Sequence, residues 1–405
     1  MKTFSGAIGT MFAVLLIQSC ETVDENISDA TTRHQADVYL THAVNVLAVL
    51  STDQDLRRAL LKYATPENDG EVMATFADLF SPSHPSARSA YDFSSSFNSA
   101  LVLNAAVSET PANTDDLTHF LLAGNYAIYA PYFAEDFEDT DGPITISWWD
   151  GTDTTGVTPG IVAGSRRPVE VNDDYASKHP TWVIMPLDED EYLSYSSSGR
   201  QEPHEETTPM AAACYGDRCE CVDQNDRLTL KMPELRLRGS LRGWPNPNHI
   251  NLWVATGDYT VAGSGSPTLS ANAPILITNK KISRKSARKK TWKNSNTSFL
   301  LHNWKRAAHE MQLIWAYKSE GSKVSVTITL EVNTEVDDLE YTAMVTSTVT
   351  ESVTNKKLYT APVFDRCTTL NTAHLDNGFG TRAGWGIYRF GKIEFYLTPI
   401  EIEID

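Results

Sequence analysis

Two hydrophobic periods divide the chain. Between residues 33 and 80 the apolar positions keep a helical spacing. Tyr39, Ala43, Val46, Leu47 and Leu50 recur at i, i+4, i+7, i+8 and i+11, one face of a helix. Ser51 followed by Gln54 has the form of a capping box, and Leu56, Leu60 and Tyr63 give the second helix its apolar face. Pro66, Asn68 and Gly70 end it. Val72, Phe76, Leu79 and Phe80 predict a third helix and Ser81 to Pro85 a break. Asp115 to Ala123 predicts a last helix, stopped by Gly124.

From Tyr126 the period shortens. Tyr126 to Tyr132, Ile144 to Trp148, Gly160 to Ala163, Val169 to Val171 and Trp182 to Leu187 read as short strands bounded by Gly, Pro and Asp turns. Residues 196–213 have linker composition. Beyond them, Val324, Val326, Ile328, Leu330 and Val332 alternate with Ser325, Thr327, Thr329 and Glu331, the pattern of a half-buried antiparallel strand. Tyr341 to Val349 and Ile393 to Leu397 behave alike. Leu228 to Leu237 is another strand, in which Pro233 marks an edge or a break. Ile250 to Val254, Ile275 to Ile277, Phe299 to Leu301 and Met311 to Trp315 bring the number to about eight, enough for a sandwich. The expected fold class is α+β: a helical region over 33–125, a small β region over 126–195, a linker over 196–213 and an antiparallel β-sandwich over 214–405.

The first twenty residues carry an address. Lys2 is followed by an apolar run from Ala7 to Ile17, broken only by Gly9 and Thr10. Such a run is too short for a ~30 Å hydrocarbon core and has the form of a signal-peptide apolar segment. It closes on Leu16-Ile17-Gln18-Ser19-Cys20, which resembles a bacterial lipobox and implies lipidation of Cys20 after removal of residues 1–19. Glu21, Asp24, Glu25 and Asp29 follow, acidic and without apolar periodicity, so residues 20–32 are expected to form a solvated tether. This acidic segment resembles the export signal of Bacteroidota-type surface lipoproteins. The whole layout is similar to uncharacterised secreted bacterial lipoproteins. That resemblance implies an outer-membrane protein, anchored by its lipid and facing outward; a periplasmic lipoprotein with a polar linker is the rival. It covers about thirty residues and transfers no site except Cys20. No second apolar run is long enough to span a bilayer.

Charge sharpens the domain division. Residues 21–213 carry a net −23 and residues 214–405 a net +4, with Lys2 completing the total of −18. An acidic excess of this size argues against nucleic acid as a partner. Cysteines add a second constraint. Cys214, Cys219, Cys221 and Cys367 are an even set in an exported chain, which suggests two disulfides, one local and one reaching to Cys367. A zinc site is the alternative, although Cys-x4-Cys-x-Cys is not a usual ligand spacing.

Motifs for a specific reaction are missing. His309-Glu310 lacks the second histidine of a metalloprotease helix, Ser286-Ala-Arg-Lys289 lacks its companion motifs, and there is no nucleophile elbow, P-loop or dinucleotide fingerprint. Asp136, Asp139 and Asp141, before Gly142, and a second run at 188–191 offer hard oxygen ligands for calcium; the plain reading is a solvated acidic loop. No other cofactor is expected. Lys280, Lys281, Arg284, Lys285, Arg288, Lys289, Lys290 and Lys293 form a run of bases without an acid. It is either a hydrated hairpin or loop, or a docking element for a polyanion: lipopolysaccharide phosphate, acidic glycan, or the acidic half of this chain. The interspersed Ser, Thr and Asn residues favour an outside ligand. Trp148 and Trp149 point to opposite sides of a strand, so one is a candidate for stacking on a sugar unless each is buried in a different core. Asp55-Leu-Arg-Arg58, Pro180 to Pro186 and Gly243-Trp-Pro245 are distinctive strings without an assigned role. The function expected is binding or structural work at the envelope. A glycan-binding accessory protein and an extracellular hydrolase using dispersed carboxylates are the alternatives.

Overall fold

The computed structural model describes residues 21–64, 70–81, 91–105, 114–132, 142–152, 155–187, 227–260, 268–271, 274–295, 300–304, 310–318, 325–336, 339–350 and 356–402. Its first half contains α1 (Glu21–Leu50), α2 (Gln54–Leu61), β1 (Val72–Thr75), α3 (Phe76–Phe80), α4 (Phe93–Ala105) and α5 (Thr114–Ala123). There follow β2 (Tyr126–Ala130), β3 (Thr145–Trp148), β4 (Thr158–Val162), β5 (Arg167–Val171), α6 (Asp173–Ala176) and β6 (Thr181–Pro186).

Several boundaries differ from the sequence expectation, each for a local reason. α1 begins at Glu21, so the helix takes in the acidic segment expected to be an irregular tether. The sequence expectation rests on apolar periodicity, and a helical segment without it leaves no such mark. The capping residue of α2 is Asp53, which accepts from the Asp55 N–H at 2.8 Å, and not Ser51. Ser51 is spent closing α1: its N–H donates to Leu47 O and its hydroxyl to Ala48 O. The expected third helix is a strand followed by one helical turn. Val72 to Thr75 pair with β2, and Thr75 Oγ1 caps α3 by accepting from the Asp78 N–H at 3.0 Å. Pairing and burial on both faces override the helical spacing there.

The six strands form one mixed sheet in the order β1-β2-β6-β3-β4-β5, with β3 parallel to β6 and the other pairs antiparallel. Its strands alternate between two cores. Val72, Ala74, Ile128, Ile146, Trp182 and Ile184 face Leu40, Leu47, Leu56, Phe97, Leu101 and Leu117 of the helices. Met73, Ala127, Tyr129, Val183 and Met185 point the other way, into a second cluster that includes Trp244 from the other half. The helical region and the small β region therefore share a hydrophobic core.

The second half is almost all strand: β7 (Arg227–Lys231), β8 (Glu234–Leu237), β9 (Asn248–Thr260), β10 (Thr268–Ala271) and β11 (Ile275–Ile282). Then come α7 (Arg284–Lys289), β12 (Lys293–Asn294), β13 (Leu301–Trp304), β14 (Glu310–Lys318), β15 (Ser325–Val336), β16 (Leu339–Thr350) and β17 (Lys356–Asp365). The chain ends with α8 (Arg366–Thr372), β18 (Thr381–Arg382), β19 (Trp385–Phe390), β20 (Ile393–Tyr396) and β21 (Thr398–Ile402). All pairings among its described residues are antiparallel. One sheet runs β10-β9-β14-β17 with β11 also on β9, a second β12-β8-β20-β19-β18, a third β13-β7-β21, and β15 pairs with β16. Pro233 separates β7 from β8. Leu230, Leu235, Leu252, Trp315, Phe364 and Phe395, drawn from the first three sheets, meet in one core. The fold class is α+β: helices with a mixed sheet, then several antiparallel sheets.

Candidate functional site

Several sequence candidates lie outside the described residues: Cys20, Cys214, Cys219, Cys221, Asp136, Asp139, Asp141, the acidic run at 188–191 and His309. Cys367 lies on α8. Trp148 packs against the helical core and Trp149 belongs to the cluster on the opposite face of the mixed sheet. All nine tryptophans fall among the described residues, and each is buried or partly buried.

The basic run is neither a hairpin nor a loop. Lys280 and Lys281 end β11, and Ser283 caps α7 by accepting from the Ser286 N–H at 2.8 Å. Lys290 stops the helix in a left-handed conformation and Lys293 enters β12. This geometry sorts the eight bases. Lys280, Arg284 and Lys285 are buried, Arg288, Lys289 and Lys290 exposed, and Lys281 and Lys293 lie between. Ser283 and Ser286, whose composition read as built for exposure, are buried too.

Arg284 is the centre of the contact between the halves. Its Nε–H donates to Asp173 Oδ1 at 2.6 Å and its NH1 group to the backbone oxygen of Asn246 at 2.6 Å. Its backbone N–H donates to Glu71 Oε1 at 2.5 Å, and its guanidinium lies 5.4 Å from the Trp244 ring centroid. Tyr132 donates to Asp173 Oδ1 and Tyr129 to Glu71 Oε1, both at 3.0 Å. One turn along α7, Arg288 donates to Asp174 Oδ1 at 2.8 Å, and Asp174 also takes Lys178 at 2.6 Å. The basic run thus seats two of its arginines on carboxylates of the acidic half.

Burial is the main force on Glu71. It pushes the carboxyl up to about 7, assisted by nearby Asp173 and opposed by the Arg284 and Tyr129 donors. Asp174 is held below the usual carboxylate range by its bonds to Lys178 and Arg288. Enclosed by groups of its own chain, Glu71 is suited to joining two parts of a molecule in a proton-dependent way.

A second charged constellation covers the outer face of the β12-β8-β20-β19-β18 sheet. Leu235 and Leu237 of β8 and Ile393 and Phe395 of β20 face the core, which turns Glu234, Arg236, Glu394 and Tyr396 outward. Glu394 is enclosed there: Oε2 accepts from Arg236 Nε and Oε1 from Arg389 Nε, each at 2.6 Å, and Arg238 Nε stands 3.6 Å from Oε1. Burial alone would raise the Glu394 carboxyl, but Arg236 and Arg389 outweigh it and hold it low. Arg382 forms a forked pair with Glu234 at 2.7 and 3.0 Å. Trp292 lies between Arg236 and Arg382, 4.5 and 5.6 Å from its centroid. Sequence reading missed this group. Its members come from separated strands, and each alone reads as an ordinary polar position of an alternating pattern. The chain matches no protein-family model, and no curated protein is similar to it.

Proposed function

We propose that the protein is a surface-exposed lipoprotein, anchored to the outer membrane through Cys20, with a binding or structural role at the cell envelope. The observation that carries this reading is the sequence Leu16-Ile17-Gln18-Ser19-Cys20 after a short apolar run and a lysine. Acyl chains at Cys20 would supply the membrane attachment, several chains holding far better than one. An acidic glycan or lipopolysaccharide is the partner that the arginine-rich outer face of the β12-β8-β20-β19-β18 sheet suits best. The binding role is also supported by the way the two halves meet. With Trp244 and Arg284 buried against the mixed sheet, the second half offers its other surfaces from a fixed platform. The finer fold reading, a β-sandwich stapled by disulfides among Cys214, Cys219, Cys221 and Cys367, is part of the same proposal. It is supported by the shared core of three sheets and by the even cysteine count.

The test is fractionation. Cys20→Ala is expected to move the protein from the membrane fraction to the soluble fraction, and unchanged fractionation would overturn the anchor. Intact-mass measurement of the native protein should find no free thiol before reduction and four after it; two or more before reduction would refute the staple.

A further inference from the structure

The geometry points to an oxyanion-binding site on the outer face of the β12-β8-β20-β19-β18 sheet, in which Arg236, Arg238 and Arg389 receive a carboxylate or sulfate group of an acidic glycan. The inference deepens the envelope-binding reading and rests on it.

Register sets the frame. Arg236 on β8 lies opposite Glu394 on β20, and Arg389 on β19 lies opposite Glu394 from the other side. The three form a row across adjacent strands about 4.8 Å apart. Elements of this kind hold side chains more firmly than loops do. Two aromatic rings steady the ends of the row: the Arg236 guanidinium is 4.5 Å from the Trp292 centroid and that of Arg389 is 4.1 Å from the Phe379 centroid.

The pairing within the row is incomplete on the cationic side. One carboxylate faces three guanidinium groups, and among the described residues no other carboxylate pairs with Arg236, Arg238 or Arg389. Each meets Glu394 through Nε alone. Among the described residues their NH1 and NH2 groups have no partner, while the side chains are 26%, 39% and 29% exposed. Arg382 shows what a purely structural pair looks like on the same face. It spends two nitrogens on the two oxygens of Glu234 and leaves the fork closed. At Glu394 the carboxylate is fully enclosed, while the three arginine side chains stay partly exposed. A planar fork with free N–H groups matches carboxylate, sulfate and phosphate oxygens, and pre-oriented arginines lose little freedom on binding. Glu394 therefore acts as a positioning residue that aims the arginines without cancelling their charge.

Titration calorimetry on the full mature chain tests the site, using a sulfated tetrasaccharide, a uronate tetrasaccharide, a neutral tetrasaccharide and lipopolysaccharide as probes. An acidic tetrasaccharide is expected to bind and the neutral one not to. R238Q leaves both short Glu394 contacts in place, so the fold should survive, and affinity should fall about tenfold with the loss of one charge-assisted bond. R236K/R389K keeps the charge but removes the fork and should also weaken binding about tenfold. K289Q/K290Q should bind like the wild type. If R238Q and R236K/R389K both match the wild type, the site is overturned while the glycan reading stands. If only K289Q/K290Q loses affinity, binding belongs to the basic run and this site is overturned. Binding of lipopolysaccharide alone, lost in R238Q, supports the oxyanion site and overturns the glycan as its source. No binding of any acidic probe by the wild type overturns the site and the envelope-ligand reading together.

Discussion

Trp244 Nε1 donates to Thr158 Oγ1 across 2.9 Å, a buried bond between residues 86 positions apart in opposite halves of the chain. The indole is 3% exposed and shares a core with Met73, Tyr129, Val183 and Met185, so it closes the face of the mixed sheet that the helices leave open. Trp244→Ala is expected to cost ~3–5 kcal/mol, as buried aromatic deletions do. Trp244→Phe keeps most of the apolar contact. Thr158 retains Ser147 and Val171 O as partners, so the cost should be nearer ~1 kcal/mol. Urea denaturation followed by tryptophan-independent far-UV signal measures both, and equal losses would refute the role as an apolar plug.

The Arg284–Asp173 pair should show coupling. Arg284 is 3% exposed and Asp173 30%, so solvent partly screens one partner. Removing the Arg284 side chain leaves Asp173 with Tyr132 and a longer Arg288 contact at 3.7 Å and deletes the donor to Asn246 O, while the backbone bond to Glu71 stays. Arg284→Ala is therefore expected at the lower end of ~3–5 kcal/mol. A double-mutant cycle with Arg284→Met and Asp173→Asn should give a coupling of ~0.5–3 kcal/mol. Additivity of the two single changes would show that the pair contributes no interaction of its own.

Much of the architecture was legible because its cause is local. The helical face from Tyr39 to Leu50, the five strands between Tyr126 and Leu187 and the strand from Ser325 onward follow from periods of 3.6 and 2. The three unassigned strings were legible as unusual but not as parts. The string Pro180 to Pro186 holds the central strand β6, whose run from Trp182 to Met185 is apolar because both faces are covered, Trp182 and Ile184 on one side and Val183 and Met185 on the other. Arg57, in Asp55-Leu-Arg-Arg58, is buried and donates to Ser51 O and Gly142 O, the second of these 85 positions away. Trp244 is the plug between halves. The uses of Arg57 and Trp244 depend on contacts far along the chain, which periodicity cannot carry. The same holds for Arg284 and Arg288: a basic run is visible as charge, but which members meet a carboxylate is decided by folding.

Gly386 should be intolerant of any side chain. A Cβ there would stand 1.9 Å from Leu375 O and 2.7 Å from Asn377 Nδ2, and the glycine N–H already donates to Ala373 O at 2.7 Å. Backbone on the opposing segment must move, so Gly386→Ala is expected to lose stability at the upper end of ~1–3 kcal/mol. Gly142→Ala, where nothing lies within 4 Å of the added carbon, should be close to neutral. Thermal melts of the two variants would separate them, and a tolerated Gly386→Ala would refute the close approach of β19 to residues 373–377.

Glu71 makes the contact between the halves depend on protons. Its carboxyl is held at about 7 in the folded chain against an ordinary value of 4.5, first because it is buried. The folded state therefore binds this proton more tightly than the unfolded state does. The stability contributed is fully present below ~4.5 and is lost as pH rises through about 7. At about 1.4 kcal/mol per unit the span is on the order of a few kcal/mol. Arg284 and Tyr129 donate to Glu71 and Asp173 stands near it; they set the size of the shift but not its sign. Asp174, held low by Lys178 and Arg288, works in the opposite direction, losing its contribution only as pH falls below the ordinary carboxylate range. The two windows do not overlap. Glu71→Gln keeps the shape and an accepting oxygen but cannot ionise. The stability of Glu71→Gln minus that of the wild type should rise steadily from pH 5 to about pH 7 and level off above it, as read from urea midpoints across the range. A difference that stays flat between pH 5 and 8 would mean that Glu71 does not change its charge in that window.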